Sequence, residues 1–318
     1  MCPVSNLPLT VVILCTAGST HLCVYQTISI MKKILVLTDL SDNAAHAAKT
    51  AMNLAAKLNC EVLLYHAMTS IPIVPNYAGG AFVTETVSIF AEESNEKLKL
   101  LADELQAGST MGVQITIKNG EGGLGENVKE LIRDNDIELI VMGAPAGGVW
   151  DHLLTGSETR AVIRNTDRPV LFIPAERDTK SLLRLVLATD YNETDLCALR
   201  YLSKWVADYH CLLDIVHIQV GDDAALWRPE QKQVFEIYLT GLNYAGICCH
   251  DLRGNDPLSR LNRFCEDKKV DVLAMVNYHN DFFSKLLGTS QTFKALHHLQ
   301  LPILVFPANF CDETICPM

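Results

Sequence analysis

Asp39 follows the apolar run Ile34–Thr38, Gly143 follows a second run ending at Met142, and Gly156-Ser157 opens a stretch with helical spacing. If both runs are parallel strands, these residues lie beyond their carboxyl ends, where ligands of open α/β sheets bind. Backbone amides at a helix start, with the helix dipole behind them, attract an anion. Glycines let the chain bend tightly and come close to a phosphate. Gly143, Ala146, Gly156 and Ser157 therefore form a candidate phosphate cradle. The Asp39 carboxylate could accept a hydrogen bond from an amino or hydroxyl group of the same ligand. By spacing alone the two glycines serve equally well as turn and cap residues, and Asp39 as a capping or turn residue.

The elements that must hold these residues alternate. A strand over Lys33–Thr38 precedes Ser41, an N-cap candidate, and a helix in which Ala47, Ala51, Leu54, Ala55 and Leu58 share one face. A strand over Glu61–Ala67 follows, then a loop with Pro72, Pro75, Gly79 and Gly80 and a long helix from about Thr86 to Gln106. The spacing then predicts strand Val113–Lys118, helix Leu124–Arg133, strand Ile137–Met142, helix Ser157–Arg164 and strand Pro169–Ile173. Strands of this kind, alternating with helices, give a parallel sheet covered on both faces.

The whole pattern occurs twice. Ile34-Leu-Val-Leu-Thr-Asp39 returns as Leu185-Val-Leu-Ala-Thr-Asp190, and Val62–His66 as Leu213–His217, both displaced by 151 positions. Leu139–Met142 returns within Leu273–Met275, and Arg168–Pro174 as Leu301–Pro307, now displaced by 133. The second copy is shorter mainly where the first has its Pro/Gly loop and long helix. Val276, His279 and Thr289 stand where Gly143, Ala146 and Gly156 stood. Bulky Val and Thr resist positive φ, so we expect no nucleotide in the second copy, although Asp190, Gly288 and Ser290 remain. We expect residues 31–175 and 182–308 to form two domains joined by a short charged linker and followed by a tail, 309–318.

With 49% hydrophobic and 20% charged residues, the 318-residue chain has enough apolar content for two packed domains. A net charge of −11, with no Lys/Arg-rich run, argues against nonspecific binding to nucleic acid or an anionic membrane. Eleven scattered cysteines without a CxxC pair fit reduced thiols of a cytoplasmic protein. Residues 1–30 carry no Asp, Glu, Lys or Arg, and their apolar run is too short and interrupted to span a bilayer. We expect Met31 to be the natural start and 1–30 a non-functional extension.

Lys32–Asp39-x-Ser41 resembles the opening of universal stress protein domains. Met142-Gly143-x-x-Ala146-x9-Gly156-Ser157, closed by Arg168–Ile173, is similar to that family's G-x2-G-x9-G-[ST] nucleotide loop and last strand. The resemblance covers residues 31–308 as a tandem pair. It implies two doubly wound α/β domains, each a five-stranded parallel sheet with helices on both faces. It also implies pairing through the last strand, within the chain or in a homodimer. In the first domain it implies ATP or a related adenine nucleotide, with or without Mg2+. Adenine would meet Asp39 and the backbone at Ala67. Gly143 would approach ribose and phosphates, and the amides of Gly156, Ser157 and Glu158 would hold the phosphates. Thr38 and Met142 complete the expected set. Where the family has a second glycine, this chain has Ala146, followed by Gly147 and Gly148.

Several other patterns point less far. Gly120-Glu-Gly-Gly-Leu-Gly125 spells GxGxxG but follows the third strand, with no acid ending a strand about 20 residues on. We expect a loop there. No GxxxxGK[ST] or GxSxG occurs. His66 and His217 occupy matching strand positions and read as repeated structural histidines, with a catalytic pair as the alternative. Trp150 and its counterpart Phe283 read as packing residues. No general base or paired metal carboxylates suggest an enzyme. The function expected is a nucleotide-binding stress-response protein whose second domain is a scaffold. The alternative is a ligand-free interaction and dimerisation module.

Overall fold

The computed structural model describes residues 31–68, 81–109, 112–144, 156–175, 183–219, 229–242, 246–277 and 301–310. Residues 1–30, Ala146 to Trp150, and the counterparts His279, Phe283, Gly288, Thr289 and Ser290 lie outside them. In the first half the elements are β1 (Lys33–Leu37), α1 (Asp42–Leu58), β2 (Glu61–Met68), α2 (Ala81–Gly108), β3 (Ile115–Glu121), α3 (Leu124–Asp134), β4 (Ile137–Ala144), α4 (Ser157–Asn165) and β5 (Val170–Pro174). In the second half they are β6 (Arg184–Ala188), α5 (Glu193–Tyr209), β7 (Leu212–Gln219), α6 (Pro229–Leu242), β8 (Ile247–Arg253), α7 (Pro257–Lys268), β9 (Val272–Asn277) and β10 (Ile303–Pro307).

The ten strands make one sheet in the order β3-β2-β1-β4-β5-β10-β9-β6-β7-β8. Within each half every pairing is parallel; β5 and β10 meet antiparallel, Ile303 opposite Phe172 and Val305 opposite Val170. The repeat is visible in the registers. Ile34 pairs with Val62 and Leu139, and its counterpart Leu185 with Leu213 and Val272.

Alternate residues of each central strand feed one of two apolar layers. Ile34, Val36, Val62, Leu64, Leu139 and Val141 pack with α1, α2 and their counterparts α5 and α6. Leu35, Leu37, Tyr65, Ile140, Met142 and Phe172 pack with α3, α4 and α7. This is why the strands read as continuous apolar runs: neither face meets water. The seam between the halves is apolar too. Tyr201, Phe306 and Phe310 form an aromatic cluster with centroids 4.9 to 5.7 Å apart. The Tyr201 hydroxyl donates to the Glu138 carbonyl of the first half at 3.4 Å.

Two boundaries differ most from the sequence expectation. Helix α2 starts five residues earlier, at Ala81. Strand β3 runs on to Glu121, through the Gly120 we expected in a loop. Helix α6 is only 14 residues long against 28 for α2, which accounts for most of the shortening in the second half.

Candidate functional site

The carboxyl ends of β1, β2 and β4 lie side by side, since Leu37 pairs with both Tyr65 and Met142. Thr38, Asp39, Ala67, Met142 and Gly143 are thereby brought to one rim. Helix α4 runs back from the end of β4 to the start of β5, which places Gly156, Ser157 and Glu158 at the same end of the sheet. Ala146 lies in the intervening stretch, outside the described residues.

A network of short-range bonds shapes the first turn. Thr38 N–H donates to the Tyr65 carbonyl at 2.9 Å, and the Thr38 hydroxyl oxygen accepts from Leu40 N–H at 3.0 Å. Leu40 takes φ +65°, a left-handed conformation. One oxygen of the exposed Asp39 carboxylate accepts from Ser41 N–H at 3.0 Å and from the Ser41 hydroxyl at 2.6 Å. Ser41 Oγ in turn accepts from Ala44 N–H at 3.3 Å and caps α1 as expected. Asp39 therefore fulfils the turn role while its side chain stays at the surface. His66 Nδ1 lies 2.8 Å from the Thr38 carbonyl, and His217 Nδ1 2.9 Å from the Thr189 carbonyl. Both histidines tie a second strand to the end of the first.

Gly143 has a reason the sequence did not show. A Cβ built on it would lie 2.8 Å from Asn43 O, 2.9 Å from Asn43 C and 3.0 Å from Ala44 N, all backbone atoms of the first turn of α1. Its φ is not positive, and Gly156 sits at φ −65°, ψ 114° as the N-cap of α4. Positive φ is thus required at neither position, and our expected reason for the valine and threonine in the second half fails. Close helix approach is what excludes a side chain at 143. The second half admits Val276, 1% exposed, because α5 contacts β9 more loosely than α1 contacts β4.

The first turn of α4 has no side-chain cap, so its leading amides lack that partner. Helix α3 packs closely on α4: a Cβ on Gly125 would lie 2.7 Å from Asn165 Nδ2 and 2.9 Å from Ala161 O, which explains the last glycine of the GxGxxG run. Gly122 takes φ +94° in the turn before α3. The run is strand, turn and helix contact, not a dinucleotide fingerprint. Sequence reasoning missed Thr159, two residues past Ser157. Its side chain is fully buried, and its hydroxyl has no hydrogen-bond partner. A polar residue on the buried face of a short helix was the available signal.

The second half closes its equivalent rim. Tyr191 stands in the place of Leu40, again left-handed at φ +62°. Its hydroxyl donates to Asp251 at 3.0 Å, and its ring packs on His217 and Phe235. Lys232 of α6 also donates to Asp251. Burial and the adjacent Asp251 carboxylate push the Tyr191 phenol well above its ordinary value. Burial pulls Asp251 upward, but hydrogen bonds from Lys232 and Tyr191 outweigh it and hold the carboxyl below 3.8. Asp251 pairs with His217 as Asn119 pairs with His66, and Asn119 is bonded to Asn95 instead. Buried Asp195 accepts from the Thr189 hydroxyl, Asp190 N–H and Asn192 N–H at 2.8 to 3.2 Å. Among the described residues no cluster of three or more His, Cys, Asp or Glu could hold a metal ion. Among them too, no helix is long and apolar enough to cross a membrane.

The Universal stress protein family model matches residues 31–174. Universal stress protein MJ0531 of Methanocaldococcus jannaschii is 31% identical over 147 residues, 46% of this chain and 83% of that protein. Universal stress protein YxiE of Bacillus subtilis is 26% identical over 151 residues, 44% of this chain and 97% of that protein. A universal stress protein structure from Archaeoglobus fulgidus superposes with a TM-score of 0.64 at 18% identity, covering 86% of this chain and 95% of that one. A putative universal stress protein from Pseudomonas aeruginosa gives 0.52 at 13% identity, covering 87% and 93%. At those identities the two structures speak to fold alone, and they span both halves.

Proposed function

The chain belongs to the universal stress protein family, and from that premise we propose that its first half, residues 31–175, binds ATP or a related adenine nucleotide. The second half, residues 182–308, serves as a non-binding scaffold in a stress-response role. The observation that carries the reading is the uncapped start of α4 at the carboxyl end of β4. The amides of Ser157 and Glu158 there suit phosphate oxygens, with the helix dipole behind them. The Ser157 hydroxyl adds a partner for phosphate or a bound Mg2+. Exposed Asp39 and the backbone at Ala67 would meet the base. Thr38, Met142, Gly143 and Gly156 would frame the rest, with Ala146 the remaining expected member outside the described residues. The scaffold role of the second half draws on the Tyr191–Asp251–Lys232 linkage across its rim.

The test is thermal unfolding of the full chain with ATP and Mg2+. Ligand at a hundredfold excess over Kd stabilises by about 2.7 kcal/mol, which raises Tm by roughly 5–10 °C for halves of this size. No shift at millimolar nucleotide, in protein with a cooperative melt, overturns the reading. It would leave the ligand-free pairing module, for which the apolar β5–β10 seam speaks.

A further inference from the structure

A cleft of about 510 Å³ opens at the amino end of β5, where α3 and α4 finish and Asn309 of the second half reaches across. It lies at the opposite end of α4 from Ser157, so the nucleotide reading leaves it unused. Four cations line it, Lys129, Arg133, Arg164 and Arg168, against one carboxylate, Asp167. In a chain of net charge −11 such a concentration needs a cause.

Helix-end chemistry supplies part of one. Arg133 and Arg164 stand in the last turns of α3 and α4, where each helix end presents about half a negative charge. Arg133 is also 3.2 Å from Asp134, an exposed pair of little energetic weight. Neither effect explains Lys129 or Arg168. Arg168 is positioned with care: buried Thr166 accepts from its N–H at 2.8 Å and donates to its carbonyl at 3.3 Å. Its Nε–H is buried without a hydrogen bond, because Asp167 Oδ1, though 3.3 Å away, is outside bonding geometry. Arg168 keeps one buried donor unused beside its ion-pair partner Asp167, and among the described residues Lys129 and Arg164 make no ion pair, so the cleft holds an excess of positive charge that suits an anion.

We infer that this cleft is a second, independent anion site that takes a small phosphorylated metabolite through its phosphate groups. Guanidinium forks match phosphate oxygens in pairs, and four cations in one cleft suit the higher charge of a phosphate group over that of a single carboxylate. The cleft volume falls in the range of small-molecule sites. Among the described residues no aromatic side chain lines it, so the recognition they offer runs through charge and not through ring stacking. Because Asn309 belongs to the second half, a bound ligand would touch both halves.

The test is calorimetric titration of the full chain with inorganic pyrophosphate at about 50 mM and about 200 mM salt. Saturable binding that weakens with salt is expected. The Lys129→Glu/Arg164→Glu variant changes only exposed side chains and should lose at least about tenfold in affinity, the loss of one charge-assisted bond. Ser157→Asp puts a negative charge in the proposed nucleotide cradle at the other end of α4, and should remove any second pyrophosphate held there while leaving saturable one-to-one binding at the cleft. The neutral variant Arg164→Gln should weaken binding in the same direction with the fold unperturbed. No saturable heat, parental cleft affinity in the double variant, or the loss of all pyrophosphate binding in Ser157→Asp, each overturns the assignment.

Discussion

Gly143→Ala is the sharpest probe of how the first half is assembled. The added Cβ would approach three backbone atoms of Asn43 and Ala44 at 2.8 to 3.0 Å. Backbone at a capped helix start cannot rotate away as a side-chain tip can, so α1 must lift from β4. Overpacking of a well-filled core costs about 1–3 kcal/mol. Removing a glycine from the unfolded chain returns about 0.4–1 kcal/mol. The net expectation is a loss of about 1–2 kcal/mol, read as a Tm lower by roughly 3–6 °C or a lower urea midpoint at constant slope. Gly108→Ala is the matched control. Nothing lies within 4 Å of its Cβ position and it ends α2, so stability should hold or rise by up to about 1 kcal/mol. Because α1 carries the Asp39–Ser41 turn on its amino end, nucleotide affinity should fall along with stability. A Gly143→Ala protein as stable as its parent would show that α1 does not seat on β4 as described, and the account of that glycine would fail.

Three further outcomes are expected. Asp195→Ala strands three donors, two of them main-chain, and should cost at least about 2 kcal/mol in urea unfolding; a neutral result would mean water replaces the carboxylate freely. Burial pushes the Cys60 and Cys211 thiols from 9.0 to about 11. Near pH 8 their thiolate fraction is then roughly a hundredfold smaller, so mass spectrometry after alkylation should find exposed Cys248 modified first and these two only after unfolding. The Asp251 carboxyl is held below its unfolded value of 3.8. The stability it contributes is present above that value and is lost as pH falls through the lower, folded one. Lys232→Met should therefore reduce the acid dependence of second-half unfolding below about pH 4, and an unchanged acid limb would count against the linkage.

Much of the fold was legible because the signals were redundant. Four strands of one copy had an apolar counterpart in the other, and the β1–β4 and β6–β9 registers fall on those correspondences residue by residue. Ser41 could be read as a cap because a hydroxyl before a helical period has few other roles. The end of β3 was misplaced because glycine was taken as a break, whereas Gly120 is held inside a strand by pairing with Ala67. Local propensity gave way to the ladder there. Gly143 was visible as a residue but not as a reason: turn, phosphate approach and helix contact all want glycine.

The chain's order of apolar runs and helical periods fixed two α/β halves, since burying both faces of a parallel sheet leaves few other arrangements. It also fixed which residues reach the strand ends, because those follow the last apolar residue of each run. Pairing through the last strands followed from the family resemblance, but that β5 joins β10 of the same chain, antiparallel and with Ile303 opposite Phe172, came only from tertiary structure. So did the cationic cleft, whose residues stand more than 30 positions apart on α3 and α4 and meet only because those helices pack together. Sequence decides what each segment can bury, while packing decides which charges and backbones are left facing one another.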